Sequence, residues 1–481
     1  MTDSDEIMRK TKIICTLGPA SRNEKTLEEM LLKGMNIARL NFSHGTHEYH
    51  KESIEMFRRI RDKLRLPAAV MLDTKGPEIR VGLFKDGKKV TLKNGQTFIL
   101  TSRDVEGTAE EVSVSYKELP SELKVGDRIL IDDGKILLET VSLTETDIVC
   151  KVLDGGELSG RKGINIPHIH LSMPYLSAQD QADIRFGIEM DVDFVAASFV
   201  RCKEDVMALR KFMDYYGGHN IKIISKIENI EGINNFDEIL KYSDGIMVAR
   251  GDMGVEIEYE KLPGIQKKFI RKCYQSGKMV ITATQMLESM IHSSTPTRAE
   301  ITDVANAVFD GTSAVMLSGE TAIGDHPALV VKVMAKIARQ AEKDAFDMDA
   351  YSGISYEGGG CEMTNAICDA ACTTARDVEA KAILAVTKSG HTARRVSKFR
   401  PVEPIIAATP EIKTFHQLSL SWGVFPVLAR NQSDEESLFR HAIDCAKQID
   451  MVSKGDKVVI TAGVPLNQSG TTNLLKVQVV D

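Results

Sequence analysis

The chain has 481 residues, of which 43% are hydrophobic and 27% charged, and 61 basic against 68 acidic residues give a formal net charge of −7. This composition excludes general disorder, and the length suggests about three domains. The net negative charge does not favour binding to nucleic acid. No apolar run approaches the roughly 18 residues of a membrane helix. We therefore expect a soluble multidomain protein with neither nucleic-acid nor membrane partners.

The amino terminus lacks the basic, apolar and small-residue order of a signal peptide, and the eight cysteines are scattered along the chain. We expect a cytoplasmic protein with reduced thiols. Cys361, Cys368 and Cys372 are close in sequence, but their spacing fits neither a zinc pair nor a common iron–sulfur run. Small core residues on a helix are the simpler interpretation.

Apolar strand candidates alternate with helical segments on both sides of a long interruption. Three precede it and five follow it, at residues 12–17, 35–40, 68–73, 192–200, 221–227, 245–249, 279–284 and 314–317. Near-continuous apolar strands of this kind are typical of parallel sheets buried on both faces. Eight β–α repeats is the number at which such a sheet closes. The predicted fold class is therefore α/β, with a (β/α)8 TIM barrel formed by residues 1–76 and 176–346.

Two further domains are predicted from changes in this pattern. Residues 77–175 show strand alternation and turn signals, including a hairpin turn at Asp133–Gly134, and predict a small β-barrel inserted after the third barrel strand. A glycine-rich stretch at 351–360 precedes renewed alternation, with strand candidates at 382–386, 404–408, 424–428 and 457–460. Residues 347–481 are therefore predicted to form a C-terminal open α/β domain.

Polar side chains follow the barrel strands repeatedly, at the end where barrel enzymes carry their chemistry. They are Arg39, Asn41 and Ser43 after the second strand, Asp73 and Thr74 after the third, Lys226 and Glu228 after the fifth, Asp252 after the sixth, Thr284 after the seventh, and Ser318 and Glu320 after the eighth. Any one of them could be an ordinary solvated loop start. Six such strand ends together predict an active site.

The residue types at these ends suggest phosphoryl chemistry. Glu228 and Asp252 leave neighbouring strands and suit Mg²⁺, which takes its remaining oxygens from water and substrate. An ion pair with Lys226 is the alternative, and the two arrangements can coexist. Arg39 and Lys226 would supply positive charge to a phosphoryl group in transfer. Four further residues have side-chain oxygens, and one of the four is an acid: Asn41, Ser43, Asp73 and Thr74. That set fits a large monovalent cation better than a second divalent ion.

Seven segments resemble the motifs of pyruvate kinases, in the family's order and over essentially the whole chain. They are KIICTLGP (12–19), RLNFSHG (39–45), LDTKGPEIR (72–80), ISKIEN (224–229), MVARGDMG (247–254), ATQML (283–287) and MLSGET (316–321). The resemblance implies transfer of a phosphoryl group from phosphoenolpyruvate to ADP, giving pyruvate and ATP, the last step of glycolysis. It also implies Mg²⁺ and K⁺ as cofactors and a homotetrameric assembly.

The resemblance further assigns roles residue by residue. Mg²⁺ would be held by Glu228 and Asp252; K⁺ by Asn41, Ser43, Asp73 and Thr74; the substrate by Arg39, Lys226, Thr284 and the backbone of Gly251 and Asp252; and the nucleotide by Asn41, His44, Arg80 and Lys162. Lys226 would stabilise the transferring group and the enolate. Protonation of the enolate is expected to involve Thr284, Ser318 and Glu320, with Thr284 organising a water molecule. Glu78 resembles the K⁺-requiring members, since a lysine at this place would substitute for the ion.

The inserted domain is expected to act as a lid, and the last domain is expected to regulate the enzyme. The inserted domain, hinged at Pro77 and near Pro174, would close over the site as a lid. The loop of Thr387, Lys388, Ser389, Gly390, His391 and Thr392 resembles the family's effector phosphate site, with a plain capping turn as the alternative. The opposing loop, 463–470, lacks the aromatic and basic residues of strongly bisphosphate-responsive members. Another sugar phosphate or a nucleotide is therefore a possible effector.

Two other functions remain open from the sequence. A metal-dependent carbon–carbon lyase acting on a pyruvate-like acid could use the same barrel, Mg²⁺ and Arg39, but it would need neither Lys162 nor a lid. A metabolite-sensing scaffold would keep the C-terminal loop and lose catalytic groups. None of these groups is missing from the chain.

Overall fold

The computed structural model describes residues 8–351, 362–432, 434–464 and 472–481. Residues 352–360 of the glycine-rich stretch, Cys361 and residues 465–470 of the predicted opposing loop lie outside the described residues. Within the described ranges, no helix combines the length and apolar character that a bilayer-spanning segment needs. The seven cysteines of these ranges are all free thiols, and Cys368 is buried in an apolar core.

The first α/β section begins the barrel. Its elements are β1 (Lys12–Thr16), α1 (Glu24–Lys33), β2 (Ile37–Asn41), α2 (His47–Lys63) and β3 (Ala69–Asp73). The Asn23 side chain accepts a hydrogen bond from the Thr26 amide and begins α1, and Gly34 ends it with a φ of 118° that other residues rarely adopt. These local signals bring the chain back for β2, which pairs in parallel with both β1 and β3.

The inserted section is almost entirely β. Its elements are β4 (Ile79–Arg80), β5 (Val90–Leu92), β6 (Thr97–Thr101), β7 (Glu111–Ser113), α3 (Leu119–Glu122), β8 (Arg128–Ile131), β9 (Ile136–Leu143), β10 (Asp147–Asp154), β11 (Gly156–Leu158) and β12 (Gly163–Asn165). They form a seven-stranded sheet in the order β4-β12-β8-β9-β10-β6-β7 and a two-stranded sheet of β11 and β5, around a separate apolar core. The predicted hairpin is β8–β9, and positive φ angles at Asp132, Asp133 and Gly134 form its turn.

The chain then returns to the barrel and completes it. The elements are α4 (Ala178–Glu189), β13 (Phe194–Ala197), α5 (Lys203–Tyr215), β14 (Lys222–Ile227), α6 (Ile230–Asn234), α7 (Phe236–Tyr242), β15 (Gly245–Ala249), α8 (Arg250–Glu256), α9 (Leu262–Gln275), β16 (Met279–Ala283), α10 (Arg298–Phe309), β17 (Ala314–Leu317), α11 (Gly319–Ala322) and α12 (Pro327–Asp347). The barrel is closed in the order β1-β17-β16-β15-β14-β13-β3-β2. The predicted eight-stranded barrel, interrupted after its third strand, is confirmed.

The last section is an open α/β sheet. Its elements are α13 (Met363–Asp377), β18 (Ala382–Val386), α14 (His391–Ser397), β19 (Ile405–Thr409), α15 (Ile412–Gln417), β20 (Val424–Leu428), α16 (Glu435–Gln448), β21 (Lys457–Ala462) and β22 (Leu474–Val479). The sheet order is β20-β19-β18-β21-β22, with β22 antiparallel at the edge. The sequence did not predict β22, because a half-exposed edge strand has no continuous apolar run.

The last domain closes the amino-terminal end of the barrel. Leu420 is fully buried in the same apolar cluster as the barrel residues Ile14, Phe194 and Met247. Beside it, Lys12 Nζ donates to the Val424 carbonyl at 2.7 Å and lies 4.6 Å from the centre of the Phe425 ring. Burial lowers the pKa of the Lys12 amine to about 7, an effect that the charge of Arg9 increases and that of Glu342 opposes.

This buried amine makes the stability of the protein depend on pH. The pKa of Lys12 is about 7 in the folded chain against 10.5 ordinarily, so the unfolded chain binds more protons between these values and stability rises with pH. We expect Lys12→Met to raise the free energy of unfolding at pH 7 by about 1–3 kcal/mol. The gain should shrink as pH approaches 10.

Chemical denaturation between pH 6.5 and pH 10 measures this effect. Lys25→Met is the control, because Lys25 is an exposed lysine of α1 whose removal should not change the pH profile. A gain from Lys12→Met that stays constant across the pH range would show that the amine does not titrate there.

Candidate functional site

Asp73 is the centre of a buried charge network at the carboxyl ends of the strands. Its side chain is fully buried, and it accepts from Arg39 Nε at 2.6 Å and from Lys226 Nζ at 3.0 Å. Burial alone would raise the pKa of Asp73, but the charges of Arg39 and Lys226 outweigh it and hold the pKa below its usual range. Asp73 is therefore ionised and fixes the two predicted phosphoryl-binding cations side by side.

Lys226 connects this network to the acids of the next strands. Its ammonium lies 3.0 Å from Asp73 Oδ1, 3.0 Å from Glu228 Oε1 and 2.7 Å from Ser198 Oγ. Burial lowers the pKa of a lysine, but Asp73 and Glu228 more than offset it and the pKa of Lys226 is raised. The ammonium is protonated and points into the strand ends, as a donor to anionic oxygens must.

Glu228 and Asp252 form a pair of carboxylates beside this ammonium. Glu228 is 1% exposed and accepts from the Phe199 amide at 2.6 Å, while Asp252 lies in the first turn of α8, where its charge acts on Glu228. Burial raises the pKa of both acids, and Lys226 only partly opposes this. Two nearby acids with raised pKa values can share either a proton or a cation. Their oxygens fit the magnesium that the sequence analysis predicts.

Thr284 and the Gly251 backbone, both predicted to bind the substrate, lie where β15 and β16 end. The Gly251 amide donates to Thr284 Oγ1 at 2.8 Å, and Thr284 has a φ of 69°, in the left-handed region that β-branched residues avoid. Arg250 stabilises this backbone by donating to the Thr284 carbonyl at 2.5 Å and pairing with Asp303 at 2.7 Å. Thr284 Oγ1 therefore holds the Gly251 amide that was predicted to contact the substrate.

The four residues predicted to bind K⁺ lie at the ends of two neighbouring strands. Asn41 of β2 is the register partner of Asp73 of β3. Asn41 Oδ1 accepts from the Ser43 amide at 3.1 Å, and Thr74 Oγ1 accepts from the Ser198 amide at 3.0 Å. Their side chains therefore present mainly neutral oxygens and one carboxylate, although the role of this set stays a prediction.

Ser198 is a site residue that the sequence analysis missed. Its hydroxyl lies 3.3 Å from Asp73 Oδ1, 2.6 Å from the Thr74 carbonyl and 2.7 Å from Lys226 Nζ. The apolar run was assigned to 192–200, which placed Ser198 inside a strand, whereas β13 ends at Ala197. An earlier strand boundary would have added this serine to the polar strand ends.

Ser318 and Glu320 have different surroundings. The Glu320 carboxylate is fully buried and accepts from the Leu287 amide at 3.1 Å and the Ser318 amide at 2.6 Å. Burial raises its pKa, and these amides offset part of the effect. The Ser318 hydroxyl, by contrast, has no hydrogen-bond partner among the described residues. Glu320 therefore ties the loops after β16 and β17 together, and its part in proton transfer stays a prediction.

A cleft of about 310 Å³ separates the barrel mouth from the inserted domain. His44, Arg80, Lys162 and Asp252 line it. Arg80 pairs with Glu78 at 2.7 Å and Lys162 with Asp132 at 2.7 Å, so both predicted nucleotide-binding cations have carboxylate partners. Across the cleft, Asn165 Nδ2 donates to Glu256 Oε1 at 3.0 Å. This cleft brings together three of the four residues predicted to bind the nucleotide.

The predicted effector loop lies apart from these residues, between β18 and α14. Thr387 and Gly390 are buried, and Lys388 and Ser389 are exposed. The Lys388 carbonyl accepts from Thr414 Oγ1 at 2.9 Å, and the Thr392 and Thr472 hydroxyls are 2.9 Å apart. An effector role for the loop stays a prediction.

Comparison with known proteins gives concordant results. The family model described as "Pyruvate kinase, barrel domain" matches residues 8–331, and "Pyruvate kinase, alpha/beta domain" matches residues 365–478. The chain is 47% identical to a pyruvate kinase of Clostridium acetobutylicum over 98% of this chain and all of that protein, and 48% identical to one of Staphylococcus aureus over 98% of this chain and 81% of the relative. The crystal structure of a pyruvate kinase from Cryptosporidium parvum matches with a TM-score of 0.94 at 41% identity, covering 100% of this chain and 98% of the other.

Proposed function

Since this chain belongs to the pyruvate kinase family, we propose that it transfers the phosphoryl group of phosphoenolpyruvate to ADP, giving pyruvate and ATP, with Mg²⁺ and K⁺ as cofactors. Membership makes it a phosphotransferase. The specific reaction rests chiefly on one observation, the buried contact of Lys226 with Asp73, Glu228 and Ser198 at the strand ends.

Arg39 and Lys226 would bind the phosphoryl oxygens and neutralise their charge. Asp73 holds both cations in fixed positions, so little reorganisation would be needed as charge moves during transfer. When bound between Glu228 and Asp252, Mg²⁺ would supply a further positive charge to the transferred oxygens. Lys226 would then face the enolate oxygen left after the phosphorus–oxygen bond breaks.

The enolate must gain one proton at carbon to become pyruvate. Thr284 is itself a poor acid, and its hydroxyl donates to the Ala283 carbonyl at 2.6 Å. The unpartnered Ser318 hydroxyl could bind a water molecule on the same side of the barrel. We propose that these hydroxyls orient the water that delivers the proton.

In this proposal, each of the three parts of the chain has a separate role. Residues 1–76 and 176–346 would carry catalysis, 77–175 would close the site as a lid with Arg80 and Lys162 on ADP, and 347–481 would regulate. The link between Asn165 and Glu256 supports a lid that contacts the barrel. A cytoplasmic location and a homotetramer complete the proposal.

A coupled assay of pyruvate formation tests this function. We expect formation of pyruvate from phosphoenolpyruvate that requires ADP and Mg²⁺. Pyruvate formation indifferent to ADP would mean transfer to water and would contradict the proposed reaction, and absence of activity with saturating substrates would leave the carbon–carbon lyase and the scaffold.

The proposed K⁺ requirement depends on Glu78. We expect the wild-type rate in Tris buffer to rise at least tenfold on addition of K⁺, and Glu78→Lys to be active without it, because an ammonium would replace the ion's charge. Glu110→Lys, at an exposed position of the inserted domain, is the control for the added charge. Wild-type activity indifferent to K⁺ would refute the assignment.

Substitutions in the proposed effector loop are predicted to weaken activation without changing the basal rate. Thr387→Ala and Ser389→Ala should weaken activation by a sugar phosphate or nucleotide at least tenfold, because each removes a hydroxyl donor to a phosphate. The unactivated rate should change less than twofold, since the loop lies away from the barrel strand ends that carry Lys226 and Glu228. Titration of candidate effectors against initial rate measures both quantities, and equal activation of wild type and variants would eliminate this loop.

A further inference from the structure

A small basic cavity lies at the junction of the barrel and the last domain, remote from the strand ends that carry Lys226. It lies between the segment that joins α9 to β16 and the residues at and after the end of α14. Its described lining residues are Tyr274, Gly277, Lys278, Met279, Ser313, Arg394, Ser397, Lys398, Arg400, Ser421 and Trp422. Four of these are cationic and none is acidic. No step of the proposed reaction uses this cavity.

Arg400 carries a buried charge without an opposite charge beside it. It is 4% exposed, and its terminal nitrogens donate to the Gly311 carbonyl at 2.7 Å and the Ser397 carbonyl at 3.0 Å. Its guanidinium lies 4.5 Å from the centre of the Trp422 ring. Burial lowers the pKa of Arg400 to about 10, and among the described residues no carboxylate pairs with it. A guanidinium at this pKa is still charged at neutral pH, so the charge is only partly compensated.

Three hydrogen-bonding groups on residues that line the cavity have no hydrogen-bond partner in the part of the chain that the structure describes. They are Arg400 Nε, Ser421 Oγ and Trp422 Nε1, and their residues are 4%, 2% and 1% exposed. The arginine and tryptophan nitrogens can only donate, and the hydroxyl can donate as well. Buried polar groups of native proteins nearly always have partners. Among the described residues, these three donors have no hydrogen-bond acceptor.

Lys278 and Arg394, two further cations of the wall, are donors and do not supply an acceptor. Lys278 donates to the carbonyls of Lys241 and Ser243 at 2.8 and 2.7 Å, and Arg394 donates to the Ser389 carbonyl at 2.9 Å. These hydrogen bonds are to neutral carbonyl groups, and the charge of Asp244 offsets part of the positive charge of both side chains. An ordered water could accept from the unpartnered donors, but it would need acceptors for its own hydrogens and would bring no negative charge.

We propose that this cavity binds one small monovalent anion, with chloride as the chemical class, between Arg400, Ser421 and Trp422. The cavity has a volume of about 10 Å³, which is the space that a single water-sized sphere requires. A halide accepts several hydrogen bonds, donates none and carries the missing charge. The anion joins Arg400 to the Ser421–Trp422 segment, next to the Leu420 side chain that closes the barrel.

Crystals of the full-length protein soaked with sodium bromide test the site directly. The expected result is an anomalous bromide peak within hydrogen-bonding reach of Arg400 Nε, Ser421 Oγ and Trp422 Nε1. A cavity that is empty, or that holds density without an anomalous signal, contains water at most and overturns the proposal.

Thermal unfolding tests binding in solution. At equal ionic strength, sodium chloride should raise the Tm relative to sodium gluconate, whose anion is too large for the cavity, by about 1–3 °C. A double variant, Ser421→Ala with Trp422→Phe, removes two donors and should lose this difference. Arg128→Gln, at an exposed arginine of the inserted domain, should keep it. Equal Tm values of the wild type in the two salts would mean that the ion binds only at the concentration used for the crystals, and this would contradict the proposal.

Discussion

Lys226→Met is expected to lower turnover by about a hundredfold or more. The substitution removes the only ammonium in contact with both Asp73 and Glu228 in the described structure, and with it the charge that faces the transferring oxygens. Methionine has a similar length and volume, and Asp73 keeps its contact with Arg39 at 2.6 Å, so we expect the fold to persist.

Steady-state kinetics with saturating phosphoenolpyruvate, ADP and Mg²⁺ measures this effect, and circular dichroism checks the fold. Lys51→Met, at an exposed lysine of α2, is the matched control and should retain full activity. Wild-type turnover in a folded Lys226→Met protein would remove the basis of the proposed chemistry.

Glu228→Gln should raise the Mg²⁺ concentration for half-maximal activity at least tenfold and lower turnover as well. Glutamine keeps an oxygen that can accept from the Phe199 amide, but it removes the charge that the pair with Asp252 would offer a divalent ion. In the wild type, Mg²⁺ activation should weaken as pH falls, because protons compete for two acids whose pKa values are already raised.

The control for Glu228→Gln is Glu256→Gln, which alters another buried acid of the same cleft, the partner of Asn165. Its Mg²⁺ requirement should change less than threefold. An unchanged Mg²⁺ requirement in Glu228→Gln, or an equal change in both variants, would mean that Glu228 does not hold the ion.

The barrel was predictable from the sequence because each of its strands is buried on both faces. Segments such as Val70–Leu72 and Ile246–Val248 are fully buried, and hydrophobic residues there form short continuous runs. The antiparallel strand β22 was not predictable, since its side chains are half exposed at the sheet edge. Burial on both faces therefore sets the limit of what the apolar pattern can predict.

The candidate site was predictable to the extent that its residues end strands. Lys226, Glu228 and Asp73 were found in this way, and the structure brings them within 3.0 Å contacts. Ser198 was missed through a misplaced strand boundary. Arg250 lies in the recognised segment 247–254 but received no role, because its contact with the Thr284 carbonyl joins two loops and leaves no local signal in sequence.

The most direct test of the account is a crystal structure of the protein with Mg²⁺ and oxalate, a planar dianion that resembles the enolate of pyruvate. The account predicts an ion coordinated by one oxygen each of Glu228 and Asp252 at about 2.0–2.1 Å, with oxalate completing its coordination and Lys226 Nζ in hydrogen-bond contact with an oxalate oxygen. Carboxylates of Glu228 and Asp252 that point apart, with no ion between them, would contradict it.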